Sequence, residues 1–237
     1  DATSTIDGSS QLLNKANTSY PTHRHDKSLN EDVIWQKKFR NPRRTLSIDF
    51  NTMQNGENYS GYLNNRTVLL IDSIDSIQNI NQYKTGTYQS NRITFKTYYT
   101  EPISKAISIM FDYGINILND RLKLYSYNEG NNQLLQIDSL YSNYYTFNQF
   151  GNIGGMSLTF NEKKYRLQLS NDINLYRFSQ LNNFNASSLK RYFFNWSPFL
   201  LYQYNFSPLK NFRFSYLGTS IQPTIQQLQP VSNNRDP

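Results

Sequence analysis

The stretch Lys105 to Ile117, KAISIMFDYGINI, constrains this chain more than any other. Its odd positions are Ile107, Ile109, Phe111, Tyr113, Ile115 and Ile117, and its even positions are Ala106, Ser108, Met110, Asp112, Gly114 and Asn116. Such period-two alternation marks a strand with one face in an apolar medium and the other in a polar one. At about 3.3 Å per residue the run is roughly 40 Å long, whereas strands of soluble domains usually stop near five or six residues. A strand of this length with an unbroken oily face fits a tilted bilayer crossing.

The pattern recurs along the chain. A poorly alternating strand spans Val33–Phe39. A clean one follows at Arg44–Thr52, with Leu46, Ile48 and Phe50 on its oily face. Asn91–Tyr99 sets Ile93, Phe95 and Tyr99 against Arg92, Thr94, Lys96 and Tyr98. Beyond Lys105–Ile117 come Tyr144–Phe160, a strand opening at Tyr165 and running to Leu175, Tyr192–Phe206, and a last one opening at Phe212. That makes about eight antiparallel strands in a meander. Between them the connections alternate short and long. The tight ones lie near Arg40, Thr100, Asn161 and Ser207. The long ones are expected from Met53 to about Gln89 (with Val68–Ile71 as a short strand of its own), from Asn119 to about Ser142, and over about a dozen residues before Tyr192. Aromatics flank the tight turns, namely Phe39, Tyr98, Tyr99, Phe160, Tyr165, Phe206 and Phe212. Outer-membrane barrels pair tight turns on one side with long loops on the other and carry aromatic girdles at the interfaces. Residues 1–30 read as a polar loop or lead-in, 31–221 as barrel strands and 222–237 as an external loop or tail.

Composition narrows the alternatives. Aromatics make up 15% of a chain whose hydrophobic share is only 37%; disorder is aromatic-poor, so a folded, two-faced β protein is indicated. No window supplies the ~20 apolar residues of a membrane helix, which leaves barrel strands untouched. The net charge of +7 has its densest basic cluster at Lys37, Lys38, Arg40, Arg43 and Arg44, which reads as a solvated turn rather than a nucleic-acid footprint. With no cysteine there is neither a disulfide framework nor a thiolate metal site. The chain opens on Asp1 without a leader-type segment, so a processed protein or an excised piece is expected. A soluble β-sandwich binding module of carbohydrate type, or a complete small eight-stranded barrel with a structural or adhesive role, would alternate in the same way.

Two motifs point further. Tyr99-Thr100-Glu101-Pro102-Ile103-Ser104-Lys105 precedes the long strand, and Gln222-Pro223-Thr224-Ile225-Gln226-Gln227-Leu228-Gln229-Pro230 lies in the tail. With Arg44-Thr45-Leu46-Ser47 after the basic turn, they resemble outer-membrane β-barrel proteins of the TonB-dependent receptor type, over roughly residues 30 to 237. The resemblance implies a piece of a barrel of about 22 strands in the cell outer membrane. It also implies a plug domain and an energy-transducing partner outside this segment, and the admission of an external ligand. The motifs shape turns and carry no catalytic role.

Catalytic chemistry finds no foothold. There is no phosphate loop, no G-x-S-x-G and no HExxH. His23 and His25 flank Arg24 without a third ligand, and Asp72 and Asp75 lack the ligand density of a calcium loop. No catalytic, metal or cofactor-binding residue is assigned and no cofactor is expected. Asp49, Asp112 and Asp172 fall on polar strand faces, where a barrel would place them in the lumen beside Arg92, Lys96, Arg166 and Arg213. Ion pairing inside the barrel and a charge-selective path are both open for them.

Overall fold

The computed structural model describes residues 2–8, 11–71, 74–130 and 133–220. The strands in chain order are β1 (Ala2–Gly8), β2 (Gln11–Ser19), β3 (Thr22–Lys38), β4 (Thr45–Ile71), β5 (Ile74–Pro102) and β6 (Ile107–Gly130). They continue with β7 (Gln133–Ile137), β8 (Asn143–Asn161), β9 (Tyr165–Asn182), β10 (Ser188–Ser207) and β11 (Lys210–Leu217). All pair antiparallel in one sheet, along the path β1-β2-β4-β5-β6-β8-β9-β10-β11, with β3 on β4 and β7 on β6. The eight strands read from the sequence are β3, β4, β5, β6, β8, β9, β10 and β11.

No second sheet packs against this one among the described residues, so the β-sandwich alternative does not hold. Among the described residues β3 pairs only with β4 and β11 only with β10, so this sheet does not close on itself as a small eight-stranded barrel would. In a single layer, burial on one face can come only from curling, which crowds the side chains of the concave side. Phe147 and Phe178 are each 2% exposed there, whereas Phe150 on the convex side is 43% exposed. Glycine makes room for this crowding. The ideal Cβ of Gly151 would sit 2.5 Å from the Tyr176 ring and that of Gly86 2.2 Å from the Tyr59 ring, so each concave glycine admits an aromatic laid flat across the backbone.

Ladder register assembles the oily residues into rows across the convex face. One row is Phe50–Phe95–Ile115–Asn152–Leu175–Phe194, and a lower one is Ile109–Leu158–Leu169–Leu200–Tyr216. On β6 the oily side runs from Ile107 to Ile117, roughly 33 Å along the strand, which a tilt of about 40° reduces to the ~25 Å apolar height of an outer-membrane barrel. The turns report that tilt. β5 runs to Pro102, two residues past the partner of Thr45; β8 runs to Asn161, one past the partner of Ile107; β10 runs to Ser207, three past the partner of Tyr165. Successive tight turns step in one direction, as strand stagger in a barrel wall requires.

Three long connections expected from the sequence are instead largely strand among the described residues. β4 and β5 continue past the oily band as one hairpin that carries the Val68–Ile71 segment within it. β6 extends to Gly130, and only residues 183–187 separate β9 from β10. Once a hairpin leaves the membrane neither face has to be oily, so alternation fades while the ladder continues. Pairing also reaches into the polar N-terminal stretch, where β1 pairs β2 and β2 pairs the far end of β4. The tail motif at 222–230 lies outside the described residues.

Candidate functional site

At one height the apolar residues change sides. On β6 the oily positions are odd up to Ile117 and even from Leu118, continuing with Leu122 and Leu124. On β8 they are even from Phe160 down to Phe150, then odd at Phe147 and Tyr145. β9 passes from odd Leu175 to even Tyr176 and Phe178, and β10 from even Phe194 to odd Phe193. β5 passes from odd Ile93 to even Tyr88. Below this level the convex face is oily, as lipid demands. Above it the convex face turns polar and the concave face collects a cluster of Leu118, Leu122, Tyr145, Phe147 and Phe178, with Tyr88, Leu124, Tyr176 and Phe193 packed around it. Phe178 stacks at 5.3 Å from Phe147 and 4.9 Å from Phe193 in tilted geometry.

Polar groups are built into this cluster. Asp120 lies between Leu118 and Leu122 on the same face and is 6% exposed. Ser90 and Tyr88 hydrogen-bond its carboxylate while Oδ1 has no partner. It stands three residues beyond the oily band, and burial pushes its carboxyl above the usual carboxylate range, against the opposing pull of those hydrogen bonds. Across Phe147 in the same row sits Gln180, 5% exposed, with Oε1 unpartnered. Buried acceptors without donors are costly, so these two mark where a donor-bearing molecule would be held most firmly. Gln180 also lines a cavity of about 220 Å³ with Tyr145, Asn182, Asn185, Ser187, Ser188 and Leu189. Asn182 Nδ2 donates to the Tyr145 hydroxyl at 3.2 Å. The turn beside it is fixed by Phe184 N–H donating to Asn182 Oδ1 and Ser187 N–H to Asn185 Oδ1, with Ala186 held at φ 55°.

Asp49, Asp112 and Asp172 fall on the concave face at membrane height, as expected. Asp112 and Asp172 converge over Gly155, whose ideal Cβ would lie 2.4 and 2.3 Å from their Oδ1 atoms. Asp49 is opposite Lys96 in register, but no salt bridge forms there. Among the described residues the ion pairs are Arg24 with Asp26 and Glu57, and Arg44 with Glu101. None joins these lumenal acids to Arg92, Lys96, Arg166 or Arg213, so the ion-pair reading is not what the geometry forms. His23 and His25 sit exposed on the convex side of β3. Asp72 lies outside the described residues. The basic turn stitches neighbouring hairpins together, since Arg43 Nη1 donates to the Lys105 carbonyl at 2.6 Å and Arg44 Nη2 to Glu101 Oε1 at 2.6 Å. Glu101 also accepts from the Tyr99 hydroxyl, and Ser104 Oγ accepts from the Ala106 and Ile107 amides. The Tyr99–Lys105 motif is thus a turn lock.

Asp120, Gln180 and the concave aromatics were not singled out by the sequence reading. The signal that finds them is the parity switch, visible as Ile115-x-Ile117 passing into Leu118-x-Asp120-x-Leu122.

Among solved structures, the chain resembles the complex of FpvAI with pyocin S2 at 12% identity and TM-score 0.43, covering 86% of this chain and 37% of that one. The unliganded ferric citrate transporter FecA gives 12% identity and TM-score 0.40, covering 86% and 41%. The chain thus spans less than half the length of either. No curated protein matches. The model of the outer membrane protein beta-barrel family matches residues 37–237. With an oily convex band of bilayer height and a match over most of its length, the chain belongs to the outer membrane protein β-barrel family and resides in the cell outer membrane.

Proposed function

We propose that this chain is a section of barrel wall in a receptor-type outer-membrane transporter of the TonB-dependent kind, and that it is not a catalyst. The plug domain and the energy-transducing partner belong to the rest of such an assembly. The described residues from 31 to 220 make the wall. The observation that carries the reading is the change of oily side above the membrane, which lines the concave vestibule with aromatics around Asp120 and Gln180. Aromatic faces bind flat apolar surface, while the two acceptors select a ligand bearing hydroxyl or amine donors. Those donors would satisfy atoms the protein leaves unpartnered.

The test is genetic and quantitative. Deleting the gene should impair growth on one scarce nutrient, which defines the ligand. Gln180→Leu in the full-length gene should reproduce that defect with normal protein levels in the outer membrane. A deletion strain that takes up every scarce metal chelate and glycan tried as well as its parent, or wild-type uptake by the Gln180→Leu strain, would overturn the reading.

A further inference from the structure

Within the oily band itself the convex face is interrupted at one place, where Asn152 and Gly154 on β8 meet Asn171 on β9. Gly154 shares a row with Tyr113, Ile173 and Trp196, all three exposed. Asn152 stands one row above it, and Asn171, paired with Met156, one row below. On β9 Asn171 is the middle of the alternating run from Leu167 to Leu175, so it meets lipid where water is scarcest. Each amide oxygen accepts one hydrogen bond from an aromatic neighbour. The Tyr113 hydroxyl donates to Asn152 Oδ1 at 2.9 Å, and Trp196 Nε1 donates to Asn171 Oδ1 at 2.7 Å. Neither Nδ2 has an acceptor among the described residues. A carboxamide carries two N–H donors and a second oxygen lone pair, and hydrocarbon answers none of them. Between the two amides lies a notch. A Cβ added at Gly154 would find no atom within 4 Å, whereas one at Gly151 or Gly155 on the concave side would strike a neighbour. Gly154 does not have a positive φ either. Nothing inside the protein therefore requires glycine at 154, and a glycine in a strand interior marks the close approach of another backbone.

We infer that this convex face of β8 and β9 is a contact between two copies of the protein inside the membrane, with the walls closest at Gly154 and with Asn152 and Asn171 hydrogen-bonded across it. Three facts select a second copy as the occupant. A copy related by a two-fold axis along the membrane normal carries its own Asn152 and Asn171 at the same depths, so acceptors arrive at the height where the donors are. Amides both donate and accept, so the face complements itself. No side chain in the three rows from β6 to β10 is charged, so two such faces do not repel and neither calls for a partner of opposite charge. Exposed Tyr113 and Trp196 beside the notch supply the aromatic anchors that interfaces favour. Small residues and side-chain hydrogen bonds are also what hold membrane helices together, where the hydrophobic effect gives no pull. The contact is on the opposite face of the sheet from the proposed ligand vestibule, so either can fail without the other.

The experiment has two arms, both on the full-length protein. In cells, a photoreactive benzoyl-phenylalanine in place of Ile173 is irradiated and its adducts are identified by mass spectrometry of the outer membrane. The adduct should contain two copies of this protein and nothing else. In vesicles, energy transfer between donor- and acceptor-labelled copies is followed as protein is diluted into lipid. Asn152→Leu/Asn171→Leu should move the half-dissociation point to a protein density on the order of tenfold higher. Gly154→Trp, which fills the notch, should do the same by sterics alone. Phe50→Trp, on the same face but away from the patch on β4, should behave like wild type. A gel shift between unheated and boiled samples checks that each variant is folded, and Gly154→Trp and the double asparagine variant stand in for one another if either is not. An adduct with a different protein, no adduct at all, a wild type that stays monomeric at every density, or dimers undiminished in the folded patch variants would overturn the proposal.

Discussion

Arginine scanned along one face of β6 should report the depth of the membrane. Phe111 is near the centre of the Ile107–Ile117 run, on the convex side and 49% exposed within the protein, so in the bilayer lipid would cover it. The half-height of the band is roughly 12 Å, which leaves an arginine at 111 too deep to bring its whole head into water. Phe111→Arg should therefore cost about 2–4 kcal/mol, the midplane penalty in barrels. Ile117→Arg, at the upper edge in the same row as the native Arg177, should cost about 0–1 kcal/mol. Asn119→Arg, one row higher, should be neutral within about 0.5 kcal/mol, as for an ordinary surface change. Reversible urea unfolding in lipid vesicles, followed by the tryptophan emission of Trp35 and Trp196, measures all three. A flat profile, or a larger penalty at 119 than at 111, would refute the placement of the band.

Phe147→Ala empties a 2%-exposed site in the concave cluster and should cost about 3–5 kcal/mol in the same unfolding assay, with Phe150→Ala on the lipid side costing clearly less. Gly151→Leu forces side-chain atoms into the Tyr176 ring, whose Cε1 is 2.5 Å from the ideal Cβ, and should lower stability by about 1–3 kcal/mol. Asp120 has a raised pKa from burial, so its folded form holds a proton more tightly than its unfolded form. Stability is then undiminished below the unfolded carboxylate pKa, falls as pH rises through the window up to the folded value, and stays reduced above it. Asp120→Asn should remove that decline and be the more stable protein at pH 8, measured as urea midpoints across pH.

How much of this was legible in the sequence depended on the solvent each segment meets. Between Ile107 and Ile117 lipid on one side and a polar lumen on the other force strict alternation, so strand, face and approximate membrane span could be read off residue by residue. The tight turns were legible for a similar reason, since aromatics such as Tyr165 and Phe212 mark the interface; Tyr165 packs 4.9 Å from Tyr204 as a girdle would. Tyr98 is the exception, because its register partner Asp112 is on the concave face. Above the band both faces meet polar surroundings or a shallow vestibule, and stretches such as Met53–Gln89 lost the period that marks a strand. There the ladder and a few ring contacts sustain the sheet, among them Tyr62 with Tyr83 at 4.9 Å. Asp120 was hidden because an acid between two leucines looks like a polar-face residue until neighbouring strands show that both leucines are on the buried side.

The central claim is that the sheet turns its oily face outward through the membrane and inward above it. The chain contains no cysteine, so single cysteines from 107 to 126 on β6 can carry spin labels, and their accessibility to oxygen in lipid and to a water-soluble nickel chelate can be read in reconstituted vesicles. The account predicts oxygen-accessible labels at odd positions through 117, chelate-accessible labels at 119, 121 and 123, and labels shielded from both at 118, 120 and 122. Oxygen accessibility continuing at odd positions past 121, or odd and even positions behaving alike throughout, would contradict it.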